Sequence, residues 1–407
     1  MDNKINTEDD VTPLLVNSTR NPASSPGVHL SVTTLVFAFW AAYAFGGITI
    51  HLQVRRTDRN GRTPSKAPTD HGTSIQNFIR TENSFVDDDG GPWNTSVADR
   101  NVPRPAWLMS FPNSGTTFTS YLILIASNTR RATNYGAEEY LDETGNSVPV
   151  FENDLNGPFW ADPLQENSTY PTRYVVTKTH CTGYCVSCGP DKYVNTPYSF
   201  LHSCLSGHRG HLDTTGTRQK VRVTYSPEKI HRAIHLIRNP FDNIVSRYHL
   251  EQHQRMKRDG TEMPSTKEGF RDYCKDVNKE LQHDEHVSKV WDTYIFHLLK
   301  DVPCHSDFFR YIQWHNLAST VLNEFMQIPT YTLHYENFES RFNETAKEVL
   351  DFLELEQVQH FPEFVLGKQY QDYFEEDEKV RVKEALRSMA SIETWRNVQH
   401  YFDGIEA

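Results

Sequence analysis

AWLMSFPNSGTTFTSYLIL, at residues 106–124, is the stretch that predicts the fold of this chain. Residues 106–111 form an apolar run with large side chains, which indicates a buried strand. Residues 116–125 are apolar with helical periodicity. Between them, PNSGTT contains Pro and Asn, which favour turns, and one Gly where the chain must bend sharply. A strand, a small-residue turn and a helix are therefore predicted in succession.

A turn of this kind directs several backbone N–H groups and the positive end of the helix dipole at one spot. Phosphate is the usual ligand of such a site. Thr116 and Thr117 add hydroxyl donors to it. An ordinary strand-to-helix connection is the alternative. The turn lacks the Gly-Lys-Ser/Thr end of a Walker A motif, which counts against an ATP- or GTP-hydrolysing enzyme.

Two other apolar runs end in residues that can bind anions. Residues 173–177 predict a strand that delivers Lys178 and His180 at its carboxyl end. Residues 230–238 predict another, and a proline then opens a helix, in whose first turn proline is tolerated. With one more strand predicted over residues 330–334, the alternation of strands and helices favours a parallel sheet covered on both faces.

Ligands of such a sheet bind at the carboxyl ends of its strands. We therefore expect the PNSGTT turn, Lys178 with His180, and Arg238 to converge on one site, which would suit transfer of an anionic group from a phosphorylated donor. A kinase or nucleotide hydrolase is the alternative. It would need Mg²⁺, for which Asp242 and Glu336 are the candidate carboxylates.

At these motifs the chain resembles the sulfotransferases that use 3′-phosphoadenosine 5′-phosphosulfate (PAPS). FPNSGTTF at residues 111–118 resembles the family's 5′-phosphosulfate loop, and VVTKTH at 175–180 resembles the Lys-Thr-His strand end of the cytosolic branch. IRNPFDNIVSRYH at 237–249 is similar to the 3′-phosphate element. LHYENF at 333–338 is similar to the late strand-to-helix motif. The four motifs occur in the family's order.

The resemblance implies a three-layer α/β/α domain of the P-loop type, with a central parallel sheet. It implies in-line transfer of a sulfuryl group from PAPS to an acceptor hydroxyl, without a metal. His180 would be the general base and Lys178 would stabilise charge on the sulfuryl or leaving oxygens. The 5′-phosphate is assigned to Pro112, Asn113, Ser114, Gly115, Thr116 and Thr117, and the 3′-phosphate to Arg238 and Ser246.

One position departs from the family pattern. The family's loop carries Lys where this chain has Asn113. A neutral amide is a weaker hydrogen-bond donor than a cation. Either Lys178 provides more of the stabilisation of negative charge, or another part of the chain supplies a cation, or the protein binds the nucleotide with little turnover.

Cysteines are concentrated after the Lys-Thr-His motif. CTGYCVSC at residues 181–188 has a C-x3-C-x2-C spacing that resembles an iron–sulfur motif, and Cys204 follows. Disulfides are the favoured interpretation of Cys181, Cys185, Cys188 and Cys204, with a four-cysteine zinc site and a cluster as alternatives. Cys274 and Cys304 are either a further pair or two free buried thiols. Apart from these cysteines, residues 181–226 are predicted to be irregular.

The composition and the N-terminal region set the broad class. A net charge of −12 over 407 residues argues against a nucleic-acid binder, which would need a basic face.

Residues 30–51 begin with LSVTTLVFAFWAAYAFGGITI, an uncharged run that would span roughly 31 Å as a helix, enough to cross a bilayer. We therefore predict a disordered cytosolic tail (1–29), a transmembrane anchor (30–51), a stem (52–102) and a sulfotransferase domain (103–407).

The orientation of the anchor has evidence on both sides. Five basic residues between 55 and 66, against Arg20 before the anchor, place the C-terminal body in the cytosol by the positive-inside rule. Glycosylation sequons at Asn94, Asn167 and Asn343, the clustered cysteines and an acidic dileucine pattern at residues 10–15 favour a lumenal body. We predict a single-pass Golgi protein with a lumenal domain, which acts on a glycan or protein acceptor.

Overall fold

The computed structural model describes residues 103–135, 138–162, 168–171, 173–181, 196–213, 215–287, 293–364 and 370–406. The predicted tail, membrane anchor and stem, at residues 1–102, lie outside these ranges, as do Cys185 and Cys188. Within the ranges, no helix combines the length and the apolar character that crossing a membrane requires.

A six-stranded sheet forms the centre of the described part of the chain. The described strands are β1 (Arg104–Ser110), β2 (Ala132–Thr133), β3 (Phe159–Trp160), β4 (Tyr174–Thr179), β5 (Ser206–Leu212), β6 (Arg218–Thr224), β7 (Arg232–Ile237) and β8 (Thr330–His334). The strand order in the sheet is β3–β2–β4–β1–β7–β8, and all neighbouring strands pair in parallel except β3, which is antiparallel to β2. The prediction of a mixed α/β domain with a central, mostly parallel sheet is confirmed.

Helices connect the strands and cover the sheet. The described α-helices are α1 (Thr116–Ser127), α2 (Pro197–Cys204), α3 (Pro240–Asp259), α4 (Lys267–Val287), α5 (Thr293–Leu299), α6 (His305–Thr320), α7 (Asn337–Ser340), α8 (Phe342–Phe352), α9 (Glu376–Met389) and α10 (Ile392–Val398). A π-helical segment, Val321–Met326, continues α6.

Both faces of the sheet are buried. Along β1, Trp107 and Met109 join a core that includes Phe241 of α3 and Phe308 of α6. Ala106 and Leu108, which point the other way, join a second core that includes side chains of α1 and α8. Successive side chains of a strand point to opposite faces, so an unbroken apolar run such as β1 suits a strand covered on both sides.

The prediction that residues 181–226 are irregular was wrong for their second half. Helix α2 begins after Thr196, whose side chain accepts a hydrogen bond from the Ser199 N–H, and Pro197 occupies its first turn. Strands β5 and β6 then form an antiparallel hairpin that pairs Ser206 with Thr224. Val221 and Val223 of β6 do alternate with polar residues, which is a short strand signal, but most of the strand is exposed and polar, so no buried apolar run marks it.

Candidate active site

The three predicted binding elements meet at one edge of the sheet. Strands β4, β1 and β7 are neighbours and run in parallel, with Met109 paired to Thr179 and Ser110 paired to Leu236. Their carboxyl ends therefore lie side by side. The PNSGTT loop follows β1, His180 follows β4, and Arg238 follows β7.

The loop turns sharply at two left-handed residues, Asn113 with φ of 65° and Gly115 with φ of 89°. Glycine is required at position 115, since a Cβ there would lie 2.0 Å from Cε2 of Tyr335. Helix α1 begins directly after it, and the first N–H groups of a helix have no partner within the helix. The loop is therefore built so that an anion could approach the helix N-terminus.

Two side chains hold this loop in place, one directly after β7 and one from the first turns of α3. Arg238 donates from Nη1 to the carbonyl oxygen of Asn113 at 2.9 Å. Asn243 of α3 donates from Nδ2 to the Pro112 carbonyl at 2.8 Å and to Ser114 Oγ at 3.0 Å. The two phosphate elements predicted from sequence are thus in direct contact, although they lie more than a hundred residues apart.

Arg238 is itself held on several sides. It is 7 % exposed, and its guanidinium carbon lies 5.0 Å from the centre of the Tyr335 ring, within the range of a cation–π contact. The Tyr311 hydroxyl donates to the Arg238 carbonyl oxygen at 2.7 Å. Ser246, the predicted partner of Arg238, lies half-buried in the second turn of α3.

His180 is oriented through Ser110, a residue that the sequence interpretation missed. Nδ1 of His180 lies 2.9 Å from the Ser110 carbonyl oxygen and 3.0 Å from Ser110 Oγ. Because a carbonyl can only accept, Nδ1 carries the proton in the first contact, which puts the lone pair of the neutral ring on Nε2. Ser110 Oγ is also hydrogen-bonded to Thr116 Oγ1, so the histidine is linked to the loop.

The backbone of His180 is fixed as well. Its N–H donates to the hydroxyl oxygen of Tyr135, and its carbonyl oxygen accepts from Nε1 of Trp314 at 3.0 Å. Burial raises the pKa of Tyr135 well above its ordinary value, although the His180 N–H and the Thr179 hydroxyl oppose that shift. Tyr135 therefore stays protonated at neutral pH.

Lys178 is buried and paired. Its side chain is 8 % exposed, and Nζ lies 2.7 Å from Oε1 of Glu138. Burial alone would raise the pKa of Glu138, but the charge and hydrogen bond of Lys178, with His180 and Arg131 nearby, hold that pKa below its ordinary value. Glu138 was missed because a single carboxylate 40 residues before its lysine forms no recognisable spacing.

Asp242 and Glu336, the metal-binding candidates of the alternative interpretation, are engaged with protein groups. Asp242 accepts from the Tyr370 N–H at 3.1 Å. Glu336 accepts from the Asn239 N–H at 2.8 Å and from the Tyr401 hydroxyl at 2.7 Å. Among the described residues, no group of three or more His, Cys, Asp or Glu side chains is placed to hold a metal ion.

The four described cysteines form two disulfides, Cys181–Cys204 and Cys274–Cys304. The disulfide prediction is confirmed for Cys181 and Cys204, and Cys274 with Cys304 form the pair that was one of their two alternatives. The first bond ties the residue after His180 to the end of α2. It also takes away two of the four thiolates of the zinc alternative and one of the three thiolates of the iron–sulfur alternative, so both alternatives were wrong.

Residues 103–402 match the sequence model of a protein family, the sulfotransferase domain. The match covers well over half of the chain, so the chain belongs to this family and is a sulfotransferase. No curated protein matches the chain. The family predicted from the four motifs is thereby confirmed.

Proposed function

We propose that this sulfotransferase transfers the sulfuryl group of PAPS to a hydroxyl group of a glycan or a protein. The observation that carries the proposal is the contact between elements. Arg238 bonds to the loop at Asn113, and His180 is linked to the same loop through Ser110. One nucleotide with two phosphates could therefore touch all three.

In the proposed reaction, the loop amides with Ser114, Thr116 and Thr117 bind the 5′-phosphate, and Arg238 with Ser246 binds the 3′-phosphate. Nε2 of His180 takes the proton of the acceptor hydroxyl as its oxygen bonds to sulfur. The bond from sulfur to the 5′-phosphate oxygen breaks, and its electron pair stays on that oxygen. The products are a sulfate ester and adenosine 3′,5′-bisphosphate, with the proton on His180.

Lys178 fits the task of stabilising the sulfuryl oxygens during transfer. Lys178 is the second-to-last residue of β4 and lies two residues before His180. The bond to Glu138 restricts the ammonium group to one place, so little reorganisation is required when charge develops.

The disulfides support a location in an oxidising compartment, and that location in turn favours certain acceptors. Two disulfides in the described part of the domain are typical of an oxidising environment, such as the secretory pathway. Glycan hydroxyls and protein tyrosines are the abundant acceptors there. We therefore retain the proposal of a single-pass Golgi protein with a lumenal domain, anchored by residues 30–51.

The test is transfer of radiolabelled sulfate from PAPS to glycan and peptide acceptors by the full-length chain in detergent. His180→Ala should reduce transfer at least ~100-fold, as expected for loss of a general base, and should leave the affinity for adenosine 3′,5′-bisphosphate unchanged. His202→Ala, at an exposed histidine of α2, is the matched control. Binding of ATP in preference to the bisphosphate would instead support a kinase, and undiminished transfer by His180→Ala would remove it as the base.

A further inference from the structure

A cavity of about 250 Å³ lies beside the PNSGTT loop, between helices α3 and α4. Pro112 and Asn113 form its loop side, and Arg247 and Arg255 of α3 and Tyr273 of α4 form other parts of its wall. Its volume is slightly below the range of small-molecule sites, so it suits part of a substrate rather than all of it. Asn113, the residue that departs from the family pattern, thus shares a cavity with two arginines and with the carboxylates of Glu251 and Asp276.

Arg247 is close to the loop because of its place on α3. It follows Asn243 by four residues, so the two side chains project from one face of the helix, one turn apart. Asn243 is bonded directly to the loop at Pro112 and Ser114. The backbone of Arg247 therefore lies roughly one helical pitch, about 5 Å, along α3 from that of the loop-bound Asn243.

Arg247 is also held in place from behind. Its Nη1 donates to Oδ2 of Asp307, and Oδ1 of the same carboxylate accepts from Arg310 at 2.9 Å. All three side chains are buried. The guanidinium is fixed in position by this network.

Arg255 offers a contrast within the same cavity. It pairs with Glu251, its neighbour one turn earlier on α3, at 2.7 Å, and its side chain is 35 % exposed. The side chain of Arg247, by comparison, is 9 % exposed. A charge shielded from water interacts more strongly with a substrate anion, so Arg247 is the better placed of the two.

We propose that Arg247 supplies, from helix α3, the positive charge that the loop lacks at Asn113. This inference rests on the proposed function. When the bond from sulfur to the 5′-phosphate oxygen breaks, the electron pair leaves negative charge on that oxygen. The guanidinium of Arg247 binds the 5′-phosphate oxygens across the cavity and stabilises this charge.

The decisive experiment is a charge-rescue series on the full-length chain, with kcat measured at saturating PAPS. Arg247→Gln should lower kcat by about 100-fold, the usual loss when one donor to a developing oxyanion is removed. Asn113→Lys added to Arg247→Gln should restore at least tenfold of that loss, because it returns a cation to the loop. Arg258→Gln, at an arginine of α3 that lies outside the cavity wall and whose side chain is 61 % exposed, is the matched control and should stay within threefold of the unaltered chain.

A purely structural role for Arg247 predicts a different pattern. Arg247→Gln also removes the bond to Asp307, so the melting temperature should fall. Asn113→Lys cannot restore that bond, so recovery of kcat without recovery of the melting temperature identifies an electrostatic role. An unchanged kcat in Arg247→Gln, or a folded double variant without rescue, overturns the inference.

Should Arg247→Gln fail to fold, Asn113→Lys in the unaltered chain decides the matter without disturbing the buried network. If Arg247 already provides the cation, Asn113→Lys raises kcat by less than threefold. A gain near ~100-fold would mean that the cation is missing, and the inference would be wrong.

Titration of the same variants with adenosine 3′,5′-bisphosphate separates this inference from the proposed function. An unaltered chain that binds the bisphosphate but transfers no sulfate contradicts the proposed function. Arg247 is then judged by affinity, where a tenfold weakening in Arg247→Gln supports the contact and equal affinity refutes it. A chain that neither transfers nor binds overturns both.

Discussion

Gly115→Ala tests how tightly the loop is packed. Gly115 has φ of 89°, and a Cβ built on it would lie 2.0 Å from Cε2 and 2.2 Å from Cδ2 of Tyr335. The tyrosine ring must therefore move. That ring also lies 5.0 Å from the guanidinium carbon of Arg238 and contacts Phe118 and Phe364, so its displacement would disturb the site assigned to the 3′-phosphate.

The expected cost has two parts. A left-handed conformation costs a non-glycine residue about 1–2 kcal/mol. An extra methyl group forced into a packed site costs a further ~1–3 kcal/mol. Gly260→Ala is the matched control, because Gly260 has φ of 70° and a Cβ added there would meet no described atom within 4 Å. It should lose only the first part, so the two variants should differ by about 1–3 kcal/mol.

Urea unfolding of the full-length chain in detergent measures this difference. Calorimetry with adenosine 3′,5′-bisphosphate measures the effect on the site. We expect Gly115→Ala to unfold at lower urea than Gly260→Ala and to bind the bisphosphate at least tenfold more weakly, while Gly260→Ala binds normally. Equal unfolding midpoints would show that the Tyr335 ring yields without cost. Normal binding by Gly115→Ala would refute the role of this loop in holding phosphate.

Two further predictions concern stability. Burial, opposed by Arg238 and reinforced by Glu336, raises the pKa of Asp242 from its ordinary value of 3.8 to about 6. The folded chain therefore binds a proton more readily than the unfolded chain, so Asp242 destabilises the protein above pH ~6 and ceases to do so as the pH falls towards ~4. Asp242→Asn should raise the free energy of unfolding by about 1–3 kcal/mol at pH ~8 and by little at pH ~4, and equal gains at both values would contradict the assignment. Replacing Cys274 and Cys304 by Ala should lower the free energy of unfolding by about 3.5 kcal/mol, because their disulfide joins residues with a sequence separation of 30. A loss no larger than that of a surface substitution whose effect does not depend on reductant would show that the disulfide is dispensable.

Much of this fold is predictable because its central strands are continuous apolar runs. Strands β1, β4, β7 and β8 and helices α1 and α3 each carry a local pattern that the sequence displays. The positions of the predicted site residues at their ends follow from topology, because neighbouring parallel strands bring their carboxyl ends to one edge. The sequence alone therefore suffices to place Lys178, His180 and Arg238 near one another.

The residues that orient the site could not be found in this way. Glu138 meets Lys178 across 40 residues, and Asp307 meets Arg247 across 60. Such pairs leave no periodicity or spacing in the sequence, since they arise only when separate elements pack. Ser110 is different. As the last residue of β1, directly before the loop, its hydroxyl was a visible candidate for contact with the anion site.

The asparagine at position 113 therefore need not mean a weakened enzyme. A loop lysine is a flexible point charge, whereas the cations proposed for this site are buried and held in place by other side chains. Glu138 holds Lys178, Asp307 holds Arg247, and the Tyr335 ring covers Arg238. Fixed charges in a site shielded from water stabilise a developing anion without reorganising, and this is the main source of electrostatic catalysis. A family position can thus change its residue while the site keeps its charge, provided that another element supplies a cation from a rigid position.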